Sequence, residues 1–164
     1  MEINSNFKDL LRLLNGARVR YLVVGGYAVM KYTEPYSTKD LDIWIEATAD
    51  NAALALDTLR AFGAPTKGVT IADFLDPELI YQIGVEPVRV DVMSHVPGLD
   101  FAEAWEHRSE AHFDDVPAPM LSLDDLIRAK QAAGRPKDRL QARQLAKAKA
   151  KAMGRKRGSR PRCE

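Results

Sequence analysis

Cysteine is nearly missing from this chain of 164 residues: Cys163 stands alone beside the last residue. An internal disulfide is therefore excluded, and a cysteine metal site or a thiol nucleophile in the core has no residue to use. Histidine is scarce as well, and His95, His107 and His112 show no metal-ligand spacing. No apolar run approaches the roughly 20 residues of a membrane span, and the start MEINSNFKDLL lacks the basic and apolar stretches of a signal peptide. These absences lead us to expect a cytoplasmic protein with no membrane partner. There is no internal repeat, no G-K-[ST] of a P-loop, and no G-x-G-x-x-G, since Tyr27 and Met30 stand where a dinucleotide fold needs small residues.

What is present suits one globular domain, with 46% hydrophobic and 29% charged residues. The net charge of +1 hides an asymmetry: residues 143–164 carry nine basic residues against Glu164, which leaves an acidic body. We expect a single domain over residues 1–153 and a basic, disordered tail over 154–164. Such a tail is either a solvated helix end or a contact for nucleic acid.

The chain is organised around YLVVGGYAVMKYTEPYSTKDLDIWIE, Tyr21 to Glu46. The apolar run Tyr21–Val24 reads as a buried strand stopped by Gly25 and Gly26, which open a short helix to about Lys31. Pro35 interrupts any helix before a second strand from Asp40 to Ile45. Strand side chains alternate, so Asp40 and Asp42 share one face while Leu41, Ile43 and Ile45 share the other. Two carboxylates held together repel unless a cation neutralises them, and a divalent metal is the economical explanation. The glycine pair is either a tight turn or a place where backbone approaches a phosphate.

Elsewhere, Asn4 or Ser5 caps a helix ending at Gly16, and Thr48 or Asp50 caps one ending at Gly63. Glu78–Val85 and Pro87–Met93 read as two joined strands. In the second, Val88, Val90 and Val92 share one face and Arg89, Asp91 and Met93 the other, so Asp91 becomes a third outward carboxylate. Three such groups suffice for two Mg²⁺ ions about 3.5–4 Å apart, the arrangement that serves an in-line displacement. Phe101–His107 reads as a short helix, with weaker strand signals around Glu110–Val116. Ser122 with Asp125 caps Leu123–Ala133, Gly134 breaks it, and a last helix runs from about Pro136 to Met153.

The order GG, helix, D-x-D, then an isolated Asp on another strand resembles the nucleotidyltransferase superfamily that includes the DNA polymerase beta-like minimal enzymes. KQAAGRPKD, with Lys130, Gly134, Arg135, Lys137 and Asp138, is similar to the K-x(3)-GR-x-KD segment of the AbiEii-like group, some of whose members are toxins of toxin–antitoxin pairs. The likeness covers roughly Tyr21 to Leu145. It implies an α/β (α+β) fold, a small mixed sheet with helices on one face and a C-terminal helical pair closing the site. It also implies transfer of a nucleoside monophosphate from an NTP such as ATP to a hydroxyl on protein or RNA, for example tRNA, with a cognate toxin or antitoxin as a further partner. Gly25, Gly26, Thr38 and Lys130 would then contact the nucleotide, and Asp40, Asp42 and Asp91 would bind two Mg²⁺ and carry the catalysis.

Two positions depart from the relatives' pattern: Tyr36 stands where many have Arg, and Gln141 where a second Asp is common. The metal triad is untouched, but the grip on the triphosphate or acceptor changes, because Arg makes bidentate phosphate contacts and Tyr does not. From the residues alone, Lys130 also reads as a solvated lysine, and Arg135, Lys137 and Asp138 as a helix cap with surface ion pairs. A scaffold without catalysis and a metal-dependent hydrolase remain open.

Overall fold

A computed structural model describes residues 3–85 and 88–158. Its elements are α1 (Ser5–Gly16), β1 (Tyr21–Val24), α2 (Gly25–Met30), β2 (Asp40–Ile45), α3 (Ala49–Phe62), a 3-10 turn (Ala72–Leu75), β3 (Ile80–Val85), β4 (Val88–Met93), α4 (Phe101–His107), β5 (Ser109–Phe113), β6 (Val116–Met120), α5 (Leu123–Ala133) and α6 (Pro136–Gly158). The six strands form one mixed sheet in the order β3-β4-β2-β1-β6-β5. β2 runs parallel to β4 and β1 parallel to β6, while the other pairs are antiparallel. This is the mixed α/β architecture expected from the nucleotidyltransferase likeness. The expected strand start at Pro87 lies outside the described residues.

Local chemistry sets these boundaries. The Asn4 side chain accepts from Asn6 N–H at the start of α1, whose Phe7, Leu10, Leu11 and Leu14 are buried. Removing such side chains from water contributes about 1.5–3 kcal/mol each. Thr48 caps α3 through Asn51 N–H, and Gly63 ends it in the left-handed region. Buried Asn51 then accepts from Arg20 N–H and donates to the Arg20 and Glu46 carbonyls, tying α3 to the ends of β1 and β2. α1 packs on α3, and edge-on rings link Phe7 to Tyr27 and Tyr27 to Phe113. Trp44, two residues beyond Asp42, meets Phe101 of α4 edge-on at 5.0 Å.

The structure departs from the sequence reading in two places. The weak strand signal around Glu110–Val116 is a full hairpin, β5 and β6, turned at Asp114 with φ +54°. Pro117 and Pro119 in β6 disguised it, because proline cannot donate to a ladder and argues against an inner strand. The last helix runs on to Gly158 through the first five residues of the expected disordered tail, while 159–164 lie outside the described residues. Its alanines, lysines and arginines are strong helix formers, and Gly154 alone costs only about 1 kcal/mol. No described helix is long and apolar enough to cross a membrane.

Candidate active site

The strand register gathers the acidic residues. Asp42 pairs with Val24 across the antiparallel β1–β2 ladder and stands level with Asp91 across the parallel β2–β4 ladder, while Asp40 stands level with Arg89. Level neighbours in a sheet project to the same face, so Asp40, Asp42, Asp91 and Arg89 form one cluster. The chain leaves β1 directly above it. Gly25 has φ +66°, and a Cβ there would collide with the Asp42 carboxylate; Gly26 donates its N–H to Asp42. A Cβ on Gly26 would lie 2.6 Å from Thr38 Oγ1. Both glycines thus keep the wall above Asp42 and Thr38 bare.

The α5–α6 pair closes the other side. Ser122 caps α5 by accepting from Asp125 N–H, and Gly134 ends it in the left-handed region. The next helix then puts Asp138 in its first turn, where the helix dipole favours a negative charge. Asp138 is buried and accepts from Lys130 Nζ at 3.3 Å and from Arg135 Nε at 2.6 Å. Between this pair and the sheet lies an open cleft of about 790 Å³, within the range of small-molecule sites.

The cleft concentrates carboxylates whose charges oppose one another. Burial, with the charges of Asp91 and Asp40, pushes the Asp42 carboxyl up to about 7, against the opposing pull of Lys130 and the Gly26 N–H. Burial also raises Asp91, although Arg89 works the other way. Burial acts to raise Asp138, but the Arg135 hydrogen bond and the charges of Lys130 and Arg135 prevail and hold it low. Asp40 Oδ1 is buried without a hydrogen-bond partner among the described residues, an expensive state for a carboxylate oxygen, whereas Asp91 Oδ1 has Arg89 Nε beside it at 3.2 Å. All these donors are hard oxygens, the set that suits Mg²⁺. The residues present therefore fit a divalent ion, although among the described residues no three acidic, histidine or cysteine side chains already converge as a metal cage.

Residues 4–156 match the family model described as nucleotidyl transferase of unknown function (DUF2204). The chain belongs to this nucleotidyltransferase family. No curated protein matches it. Among solved structures it is similar to the lincosamide antibiotic adenylyltransferase LnuA with lincomycin bound, at 14% identity over 88% of this chain and 97% of that one, with a TM-score of 0.56. A Thermotoga maritima protein assigned to the nucleotidyltransferases is 17% identical over 94% and 91%, with a TM-score of 0.59. The antibiotic-resistance factor ANT(2'')-Ia is 14% identical over 94% and 92%, with a TM-score of 0.55. At these identities the structures speak for the nucleotidyltransferase fold.

In this nucleotidyltransferase the cleft is lined by all seven residues expected at the site: Gly25, Gly26, Thr38, Asp40, Asp42, Asp91 and Lys130. Of the two readings of Asp138, the surface ion pair does not hold for its own side chain, which is 2% exposed, although its partner Arg135 is 77% exposed. Sequence reasoning also missed Arg89 as part of the cluster, although the alternation of β4 had put it on Asp91's face. The two departures from the relatives' pattern turn out to touch: Gln141 Nε2 donates to Tyr36 OH at 3.2 Å, and Tyr36 OH donates to the Gly26 carbonyl at 3.2 Å. A neutral bridge thus joins α6 to the glycine wall.

Proposed function

We propose that this family member is a Mg²⁺-dependent enzyme that moves a nucleoside monophosphate from an NTP to a hydroxyl on a protein or RNA acceptor in the cytoplasm. The observation that carries the reading is the register that sets Asp42 beside Asp91 under the bare Gly25–Gly26 wall. Asp40, Asp42 and Asp91 would hold the divalent ions, two in the fullest form. When bound, they supply positive charge against the triphosphate and the departing pyrophosphate oxygen. The side-chain-free wall at Gly25 and Gly26, with the Thr38 hydroxyl beside it, leaves room for the β and γ phosphates. Lys130, whose charge already acts on Asp42, offsets phosphate charge from the α5 side. Asp91, with its raised affinity for a proton, is suited to take the proton of the acceptor hydroxyl. The new bond joins that oxygen to the α-phosphorus, and the bond from the α-phosphorus to the bridging oxygen breaks to release pyrophosphate.

For the acceptor, α6 favours RNA. Arg139, Arg143, Lys147, Lys151 and Arg155 recur every fourth residue and are exposed, a stripe with about 6 Å of rise between charges. It starts at the cleft, which Arg135 and Lys137 line, and leads away from it. The likeness of KQAAGRPKD to the AbiEii-like group, some of whose members are toxins of toxin–antitoxin pairs, supports a place for this chain in such a pair.

The test is incubation with each α-³²P-labelled NTP and Mg²⁺, together with cell protein, tRNA, or a small hydroxylated molecule such as lincomycin. Label is expected on tRNA or protein, with pyrophosphate released. Free labelled monophosphate without transfer would point to a hydrolase, and no turnover of any NTP to an inactive scaffold. Truncation after Met153 removes Arg155, Lys156 and Arg157 with the last basic residues. RNA affinity is expected to fall, and the slope of log K against log salt to become shallower by about 0.7 for each phosphate that the shortened helix no longer neutralises. Filter binding across a salt series checks this; an unchanged slope would move the acceptor search to proteins and small molecules.

A further inference from the structure

The carboxylate cluster already contains a cation. Arg89 Nη2 donates to Asp40 Oδ2 at 2.7 Å and more weakly to Asp91 Oδ2 at 3.4 Å, while Nε lies 3.2 Å from Asp91 Oδ1. Within the cluster the guanidinium is shared between the Asp40 and Asp91 carboxylates. Its side chain is 28% exposed, against 26% for Asp40 and 12% for Asp91, so the pairs sit in partly desolvated surroundings at the cleft wall. Asp40 Oδ1 stays without a hydrogen bond even so.

We infer that Arg89 is an internal counter-cation that competes with a divalent ion for Asp40 and Asp91, so that loading the cleft requires its guanidinium to release one of them. The inference rests on the reading of Asp40, Asp42 and Asp91 as metal ligands. Charge counting gives it content. In formal charge the three carboxylates with Arg89 sum to −2, and a divalent ion and the guanidinium draw on the same Asp40 and Asp91 oxygens. Without Arg89 the cluster stands at −3 and attracts the first ion more strongly.

The experiment titrates Mn²⁺ into the metal-free full chain at pH 8 and reads free Mn²⁺ by electron paramagnetic resonance. Arg89→Met keeps most of the aliphatic stem and is expected to bind Mn²⁺ about three- to fivefold more tightly, the equivalent of one lost ion pair of ordinary strength. Arg89→Lys keeps the charge and is expected to stay near the wild type. Equal or weaker binding by Arg89→Met, or equal tightening by both variants, overturns the inference while leaving the metal ligands in place. Absence of binding by wild type and Arg89→Met alike at millimolar Mn²⁺ overturns it together with the metal reading. Circular dichroism checks the fold, and Arg89→Gln carries the same expectation should Arg89→Met not fold.

Discussion

Asp42→Asn is expected to lower nucleotidyl transfer by more than about a hundredfold, since loss of even an outer-shell partner of a metal ligand costs roughly 10–100-fold. The change is nearly isosteric, but it removes a charge from the residue that Asp40, Asp91 and the Gly26 N–H all surround. The fold is expected to survive and, in the absence of metal, to gain stability. Asp42 binds its proton up to about pH 7 in the folded chain against an ordinary 3.8. Between about pH 4 and 7 the native state therefore holds a proton that the unfolded state has lost, so wild-type stability falls as pH rises across that window. The variant has no such titration. Thermal unfolding in EDTA at pH 5 and pH 8 checks it: the wild-type Tm is expected to drop between the two, with the drop smaller in Asp42→Asn. A variant that melts well below wild type at pH 8 would make Asp42 a structural residue, and full activity would remove it from the site.

How much of this was legible before the structure follows from the range of each signal. The strand Asp40–Ile45 with its two outward carboxylates is a local, period-two pattern, and so is the isolated Asp91 of β4. That Asp42 and Asp91 stand level is not local: 49 residues separate them, and the parallel register is set by packing across the sheet. Arg89 shows why a visible residue can still be misjudged. Its face was readable, but a charged residue on a short strand ordinarily points to water, and only the register beside Asp40 turns it inward to a partner. Tyr36 and Gln141 stand in the sequence as two separate departures; their hydrogen bond spans 105 residues and has no sequence signature. The β5–β6 hairpin was weak because its prolines argue against the strand that its alternation supports. Asp138 was misread for the opposite reason, since an acidic residue in the first turn of a polar helix is usually explained by the helix dipole alone.

That misreading defines the second large effect. Asp138 joins α5 to α6 through Lys130 and Arg135, and its side chain is almost fully buried, whereas Arg135 is 77% and Lys130 15% exposed. Asp138→Asn leaves the Lys130 ammonium partly buried with no negative partner there. Breaking a fully buried pair costs roughly 3–5 kcal/mol; solvent around Arg135 reduces this to about 2–3 kcal/mol. For a chain of this length the loss corresponds to a Tm lower by about 5–10 °C. The carboxyl is held below its ordinary range, so its contribution is present above the unfolded value of 3.8 and disappears as pH falls through the lower native one. The deficit of the variant should therefore be full at pH 7 and shrink in strong acid. Function should follow, because Lys130 without Asp138 is no longer held toward Asp42: the KM for NTP is expected to rise more than kcat falls. Lys130→Met supplies the contrast, with a comparable rise in KM but a smaller loss of Tm, since Asp138 keeps Arg135. An Asp138→Asn protein that melts like wild type and binds NTP as tightly would show that Lys130 is positioned by the fold of α5 alone.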